Sequence, residues 1–165
     1  MLVKSLLVAS ALALAVAAPC RAQSTGATGA PLETVTGPQL QELLQTWGYR
    51  AEVDKDNEGD PMVRTGISGL NVQVYFYGCN TETPRRCRSV QLHVGVKTDA
   101  KVDLVKVNQW NNKKRYVKVY VADNETGVHA ELDVPLAGGA SPAYIRNLVE
   151  LYETSLADFR TTFVD

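Results

Sequence analysis

Histidine, cysteine and tryptophan are scarce in this chain of 165 residues, with two, three and two copies. Scarcity of metal-ligating side chains narrows the chemistry. A metal site built on Cys79 and Cys87 would have only the distant His93 and His129 to complete it, without the usual close ligand spacing. No Walker loop, nucleophile elbow, HExxH or paired CxxC occurs, so no motif supplies catalytic residues. There is no basic excess either: the formal net charge is −1, which speaks against nucleic acid as a partner. Past residue 22 no apolar stretch is long enough for a membrane span.

What is present begins with an address. Lys4 gives a positive start, and Leu6 to Ala18 is an unbroken run of apolar and small residues. At about 13 residues the run is too short for a bilayer and suits a secretory signal peptide. Cleavage is expected after Ala22, because a cut after Ala18 would leave Pro19 first. Pro19 before Cys20 also argues against lipidation, which wants a small residue there. Removing residues 1–22 takes Lys4 and Arg21 from the 17 basic residues, leaving 15 against 18 acidic ones and a net charge of −3. Cys20 leaves too. The remaining pair, Cys79 and Cys87, bounds a short loop and reads as a disulfide in a periplasmic or secreted protein.

Residues 23–35 are rich in Gly, Ala, Ser and Thr and read as a flexible lead-in to one domain, 36–165. Thr36-Gly37-Pro38-Gln39 fits a helix capping box with Pro in the first turn. Leu40, Leu43, Leu44 and Trp47 then recur at helical spacing up to Gly48. From Tyr49 the period becomes two. Tyr49, Ala51 and Val53 form one strand and Val63, Thr65 and Ile67 a second; the third carries Val72, Val74 and Phe76, and the fourth Val90, Leu92, Val94 and Val96. A helix is expected over 104–115, with Leu104, Val107, Asn108 and Asn111 on one face. Strands over 116–122 and 128–134 follow, joined by a hairpin at 123–127. Ser141-Pro142 starts a long last helix whose stripe runs from Ile145 to Phe163. Clean alternation buries one strand face only. The fold class expected is α+β: an antiparallel sheet with helices on one face, in the order α-β-β-β-β-α-β-β-α.

Three features in this order carry a resemblance. They are Asn108-x-Trp110-Asn111 with basic residues behind it, Asp133-Val-Pro-Leu136, and Gly138-Gly139 before the last helix. Together they resemble a YbjN domain, over roughly residues 36 to 163. That family is similar in fold to type III secretion chaperones and is described only loosely, as sensory transduction regulators. The resemblance implies a non-enzymatic binding role with no cofactor, and it supplies no catalytic residues to carry over.

The residues themselves leave two functional readings. Tyr75, Tyr77, Tyr116 and Tyr120 fall on the strand face opposite the aliphatic one, among Gln73, Gln91, His93 and Lys118. Tyrosines there can form a partner-binding surface, since the ring buries apolar area while the hydroxyl stays satisfied, or they can pair across strands to stabilise the sheet. On this reading the chain is an exported protein- or peptide-binding module, chaperone-like or regulatory, with a homodimer as one form. The alternative is a small metal-dependent enzyme or ligand-binding protein using His93, His129, Glu131 and Asp133, if their strands are adjacent. Base rates for exposed polar residues favour a solvated face instead. Arg85, Arg86 and Arg88 offer a cationic loop tip. Asn124-Glu125-Thr126 matches a glycosylation sequon, on three residues alone.

Overall fold

The computed structural model describes residues 29–122 and 126–165. The signal-peptide reading of 1–22, most of the lead-in and the sequon at Asn124 fall outside them. Helix α1 spans Gly37–Thr46, followed by strands β1 (Ala51–Lys55), β2 (Pro61–Ile67), β3 (Leu70–Cys79) and β4 (Cys87–Lys97). Helix α2 spans Leu104–Lys113, then come β5 (Lys118–Val121), β6 (Gly127–Pro135) and α3 (Pro142–Phe163). The expected order is the observed one.

All six strands form one antiparallel sheet in the order β1-β2-β3-β4-β6-β5. The four-strand meander has a tight turn between β2 and β3 and longer loops at 56–60 and 80–86, and β6 rather than β5 then joins β4, leaving β5 as the outer strand. Successive side chains alternate across a strand. Val63, Val74, Leu92 and Leu132 therefore share the buried face, and Arg64, Gln73, His93 and Glu131 share the other.

The helices all cover the aliphatic face. Leu40 and Leu44 of α1 and Ile145 and Val149 of α3 close over Val74, Val90, Leu92 and Val134. Tyr152, Leu156 and Phe159 on α3 are fully buried. The Tyr152 hydroxyl donates to the Ala130 carbonyl at 2.8 Å, so its polar atom is satisfied inside the core. Trp110 of α2 stands edge-on to Phe159, with ring centroids 6.2 Å apart, and joins the same core. Helix starts follow the sequence signals. Thr36 Oγ1 accepts from Gln39 N while Gln39 Oε1 accepts from Thr36 N, a complete capping box. Ser141 Oγ accepts from Tyr144 N ahead of Pro142.

Helix amides occupy one edge position on each outer strand. On β1 the Ala51 carbonyl accepts from Gln41 Nε2 at 3.1 Å and Gln45 Nε2 at 3.0 Å. On β5 Val119 is bonded through both its backbone groups to Asn111. Each such bond removes one free backbone position from an edge that another strand could otherwise pair with.

Three local expectations need correction. The end of the lead-in is part of the fold: Leu32 bridges Ala140 and Val35 bridges Cys87, with Val35 buried. Two apolar residues spaced three apart in a Gly/Ala-rich stretch are enough to pin it against the start of β4 and the segment leading into α3. Helix α2 is also rotated from its expected stripe. It buries Val107 and Trp110, while Leu104, Val105 and Asn108 face outward, because the large indole takes the core position. Finally, Tyr116 precedes β5 instead of belonging to it. Its φ of 68° lies in the left-handed region, which ends the extended run.

Candidate functional site: the open sheet face

The face away from the helices is paved by hydrogen-bonded polar and aromatic side chains from β3, β4, β6 and β5. Register sets the neighbours: His93 lies opposite Gln73 on β3 and Glu131 on β6, and Glu131 lies opposite Lys118 on β5. Tyr75, Tyr77, His93 and Tyr120 share this surface, as the alternation requires. Tyr116 does not join them; it is 64% exposed in the α2–β5 connection.

At the centre His93 Nε2 and His129 Nδ1 are 2.9 Å apart, a direct imidazole–imidazole hydrogen bond. His93 Nδ1 is buried and unpaired among the described residues. A proton on Nε2 donated to His129 leaves that buried Nδ1 as a bare acceptor, which is less costly than an orphaned N–H. Aromatic rings frame the pair. Tyr120 stacks on His129 with centroids 5.0 Å apart and an 11° interplanar angle, and Tyr75 meets His93 edge-on at 5.6 Å. Burial, and next the neighbouring His129, holds the His93 imidazole below its ordinary pKa, with Glu131 pulling the other way.

Glu131 anchors the surface. Its residue is only 8% exposed, and its carboxylate accepts from Tyr120 Oη at 2.5 Å and pairs with Lys118 Nζ at 2.6 Å. Burial alone would push the carboxyl up, but the bonds from Lys118 and Tyr120 outweigh it and hold Glu131 below the usual range. The reciprocal bond raises Lys118. Burial and the bond to Glu131 push the Tyr120 phenol well up, so it stays a neutral donor. Gln91 extends the network: its Nε2 donates to Asp133 Oδ1 at 2.8 Å, and its Oε1 accepts from Tyr77 Oη at 3.3 Å. Burial and the nearby carboxylates of Glu131 and Asp133 raise the Tyr77 phenol.

The four residues of the metal or acid–base alternative are thus neighbours on two adjacent strands. Their carboxylates, however, are committed elsewhere: Glu131 to Lys118 and Tyr120, Asp133 to Gln91. Among the described residues no group of three or more His, Cys, Asp or Glu is placed to hold a metal ion. One member of the site was not legible as such. Gly95 faces His129 across the strands, and a Cβ there would come within 2.8 Å of the His129 ring. The signal was present, since a glycine inside Val94-Gly95-Val96 marks a close approach.

Other sequence candidates lie apart. Cys79 and Cys87 are bonded and pair across β3 and β4. That bond is compatible with an oxidising compartment. Arg85 is paired with Asp60, and Arg88 lies within β4, so the loop presents no cluster of three free arginines. A cleft of about 540 Å³ beside β1 is lined by Pro38, Val53, Pro61 and Pro84 together with the charged Asp54, Lys55 and Arg85; it shares no lining residue with the tyrosine–histidine network. No helix among the described residues is long and apolar enough to cross a membrane.

The YbjN family, described as "Putative bacterial sensory transduction regulator", matches residues 38–165. The chain belongs to the YbjN family. Comparison with curated proteins finds no match. The family description places the domain among regulatory, binding modules; it attaches no reaction to the tyrosine–histidine face.

Proposed function

We propose that this YbjN-family chain is an exported, non-enzymatic module that binds a protein or peptide through its open sheet face. One observation carries the reading: the helices are all spent on the aliphatic face, leaving a surface of tyrosine, histidine and glutamine uncovered. Tyr77 stands 48% exposed on it. Tyrosine rings joined to a fixed hydrogen-bond network make a preorganised docking surface, because little side-chain freedom remains to be lost on binding. Export rests on the apolar leader and agrees with the Cys79–Cys87 bond.

The test is capture of partners from a periplasmic extract by the crosslinked mature protein. Tyr75→Ala and Tyr77→Ala should each abolish recovery of the captured partner while leaving the circular dichroism spectrum unchanged. Undiminished recovery overturns the reading.

The His93–His129 contact favours a second reading, a ligand site at the imidazole pair. It predicts stoichiometric zinc in the purified protein, lost in His129→Ala. Protein purified without metal, and unresponsive to added zinc by calorimetry, removes it.

A further inference from the structure

We propose that helix α2 and the turns at its two ends form a docking surface for an anionic phospholipid bilayer, on which the chain lies without crossing it. This surface is separate from the tyrosine–histidine face.

Positive charge is concentrated here. Residues 99–116 carry five basic side chains, Lys101, Lys106, Lys113, Lys114 and Arg115, against Asp99 and Asp103. The rest of the chain past residue 22 carries ten basic against sixteen acidic. A chain of negative overall charge thus has one cationic side, and its field turns that side toward an anionic surface. Of the nearby acids, Asp103 caps the helix, its Oδ1 accepting from the Val105 amide, and Asp158 of α3 is taken by Lys114. The side chains of Lys106, Lys113 and Arg115 have no hydrogen bond or ion pair to any described residue.

Charge alone would describe a solvated helix. The apolar side chains add what a solvated helix does not need. Leu104 and Val105 are 65% and 62% exposed and Tyr116 is 64% exposed, while no other large hydrophobic among the described residues exceeds 50%. Helix geometry places them. At 3.6 residues per turn Val107 and Trp110 point into the core, and Val105, Gln109 and Asn112 lie opposite, away from it. Leu104 and Asn108 flank that outer line on one side, Lys106 and Lys113 on the other. Trp110 holds the core position, so the aliphatic pair at the helix start is left uncovered by its own chain. Tyr116, kept off β5 by its positive φ, ends the same segment next to Lys113, Lys114 and Arg115.

This combination suits the headgroup boundary of a bilayer. Short apolar side chains reach the acyl edge, a tyrosine sits at headgroup level, and the cations meet lipid phosphates. Ten residues of helix are too few to span the hydrocarbon but can lie along its surface. Other occupants fit less well. A second copy would set like charges together, and a nucleic acid backbone makes no use of Leu104 and Val105. Trp110 packs α2 against Phe159 of α3 on the helix side of the sheet, so docking leaves the open face free for its own partner.

The affinity is modest. Each Lys or Arg close to an anionic membrane contributes about fivefold, and the aliphatic pair is a short anchor. Binding is therefore reversible and weakens as salt is raised.

Cosedimentation of the mature protein with vesicles tests it, using phosphatidylcholine alone and phosphatidylcholine mixed with equimolar phosphatidylglycerol. Binding to the mixed vesicles only, loosened by salt, is expected. Lys113→Gln with Arg115→Gln should weaken it at least about tenfold. Leu104→Gln with Val105→Gln, which removes no charge, should weaken it at least about fivefold. All four positions are exposed, so the circular dichroism spectrum should be unchanged. Val105→Trp sets a reporter on the outer line, and its emission should shift to the blue on mixed vesicles alone. No binding at millimolar lipid overturns the proposal, as does equal binding to both vesicles. Binding indifferent to the aliphatic double variant also overturns it, because the contact is then with charge only. So does a DNA duplex that binds as tightly as the mixed vesicles and competes with them.

Discussion

Asn111 serves Val119 as a strand would. Its Nδ2 donates to the Val119 carbonyl at 2.8 Å and its Oδ1 accepts from the Val119 amide at 3.0 Å, so one side chain on α2 closes the outer edge of β5. Trp110, one residue earlier, donates from Nε1 to Val117 O at 3.2 Å. The Asn-x-Trp-Asn element is thus a clasp between helix and sheet edge. Each net hydrogen bond contributes about 0.5–1.5 kcal/mol. Asn111→Ala should therefore destabilise the domain by about 1–3 kcal/mol in urea unfolding. Asn111→Asp, which keeps the acceptor and loses the donor, should fall between the two. A change within about 0.3 kcal/mol would show that water replaces the amide fully.

The Cys79–Cys87 bond joins residues eight apart in sequence that already pair across β3 and β4. Its main effect is then on the unfolded chain. In the loop-entropy account closing so small a ring contributes roughly 2–3 kcal/mol. Unfolding with and without reductant should show the unfolding free energy falling by that amount, with the native spectrum retained below the transition. An unchanged midpoint would mean that the reduced, unfolded chain keeps the turn.

His93 makes stability depend on pH with a defined sign. Burial and His129 depress its native pKa, whereas in the unfolded chain it titrates near about 6.5. Between those two values the unfolded chain binds more protons, so stability rises with pH there. The contribution is complete above the unfolded value and is lost as pH falls through the native one. The urea midpoint should therefore drop on going from about pH 7.5 to about pH 5.5, and His93→Gln should flatten that drop. Gly95→Ala offers a second handle. Its Cβ would displace the His129 ring, and separation from His129 should raise the His93 pKa, read directly from its ring proton resonances.

Element order was legible in the sequence because it depends on local periods: two for the strands, near 3.6 for the helices, with capping residues at Thr36 and Ser141. The polar face was legible for the same reason. What was not legible depends on long-range pairing or on single dihedrals. Whether β4 lies beside β5 or β6 decides whether His93 touches His129, and alternation is silent on strand order. Tyr116 continues the alternation of Lys118 and Tyr120, yet its positive φ places it off the strand, a conformation that no side-chain pattern announces. Leu104 fits the helical stripe, but Trp110 wins the core by size.

The opposite edge of the sheet is held by a redundant pair, which gives a different kind of prediction. Gln41 and Gln45, one helical turn apart on α1, both donate to the single Ala51 carbonyl. Removing either amide leaves the acceptor bonded, so Gln41→Ala and Gln45→Ala should each cost no more than about 0.5 kcal/mol. Removing both leaves a backbone carbonyl at the edge with water as its only replacement partner, and the loss should reach about 1–1.5 kcal/mol. The double variant should exceed the sum of the singles, the signature of neighbours sharing one partner. Urea unfolding of the four proteins in a double-mutant cycle measures that excess. Strict additivity would mean that the two glutamines stabilise α1 separately and that Ala51 is not their common point of action.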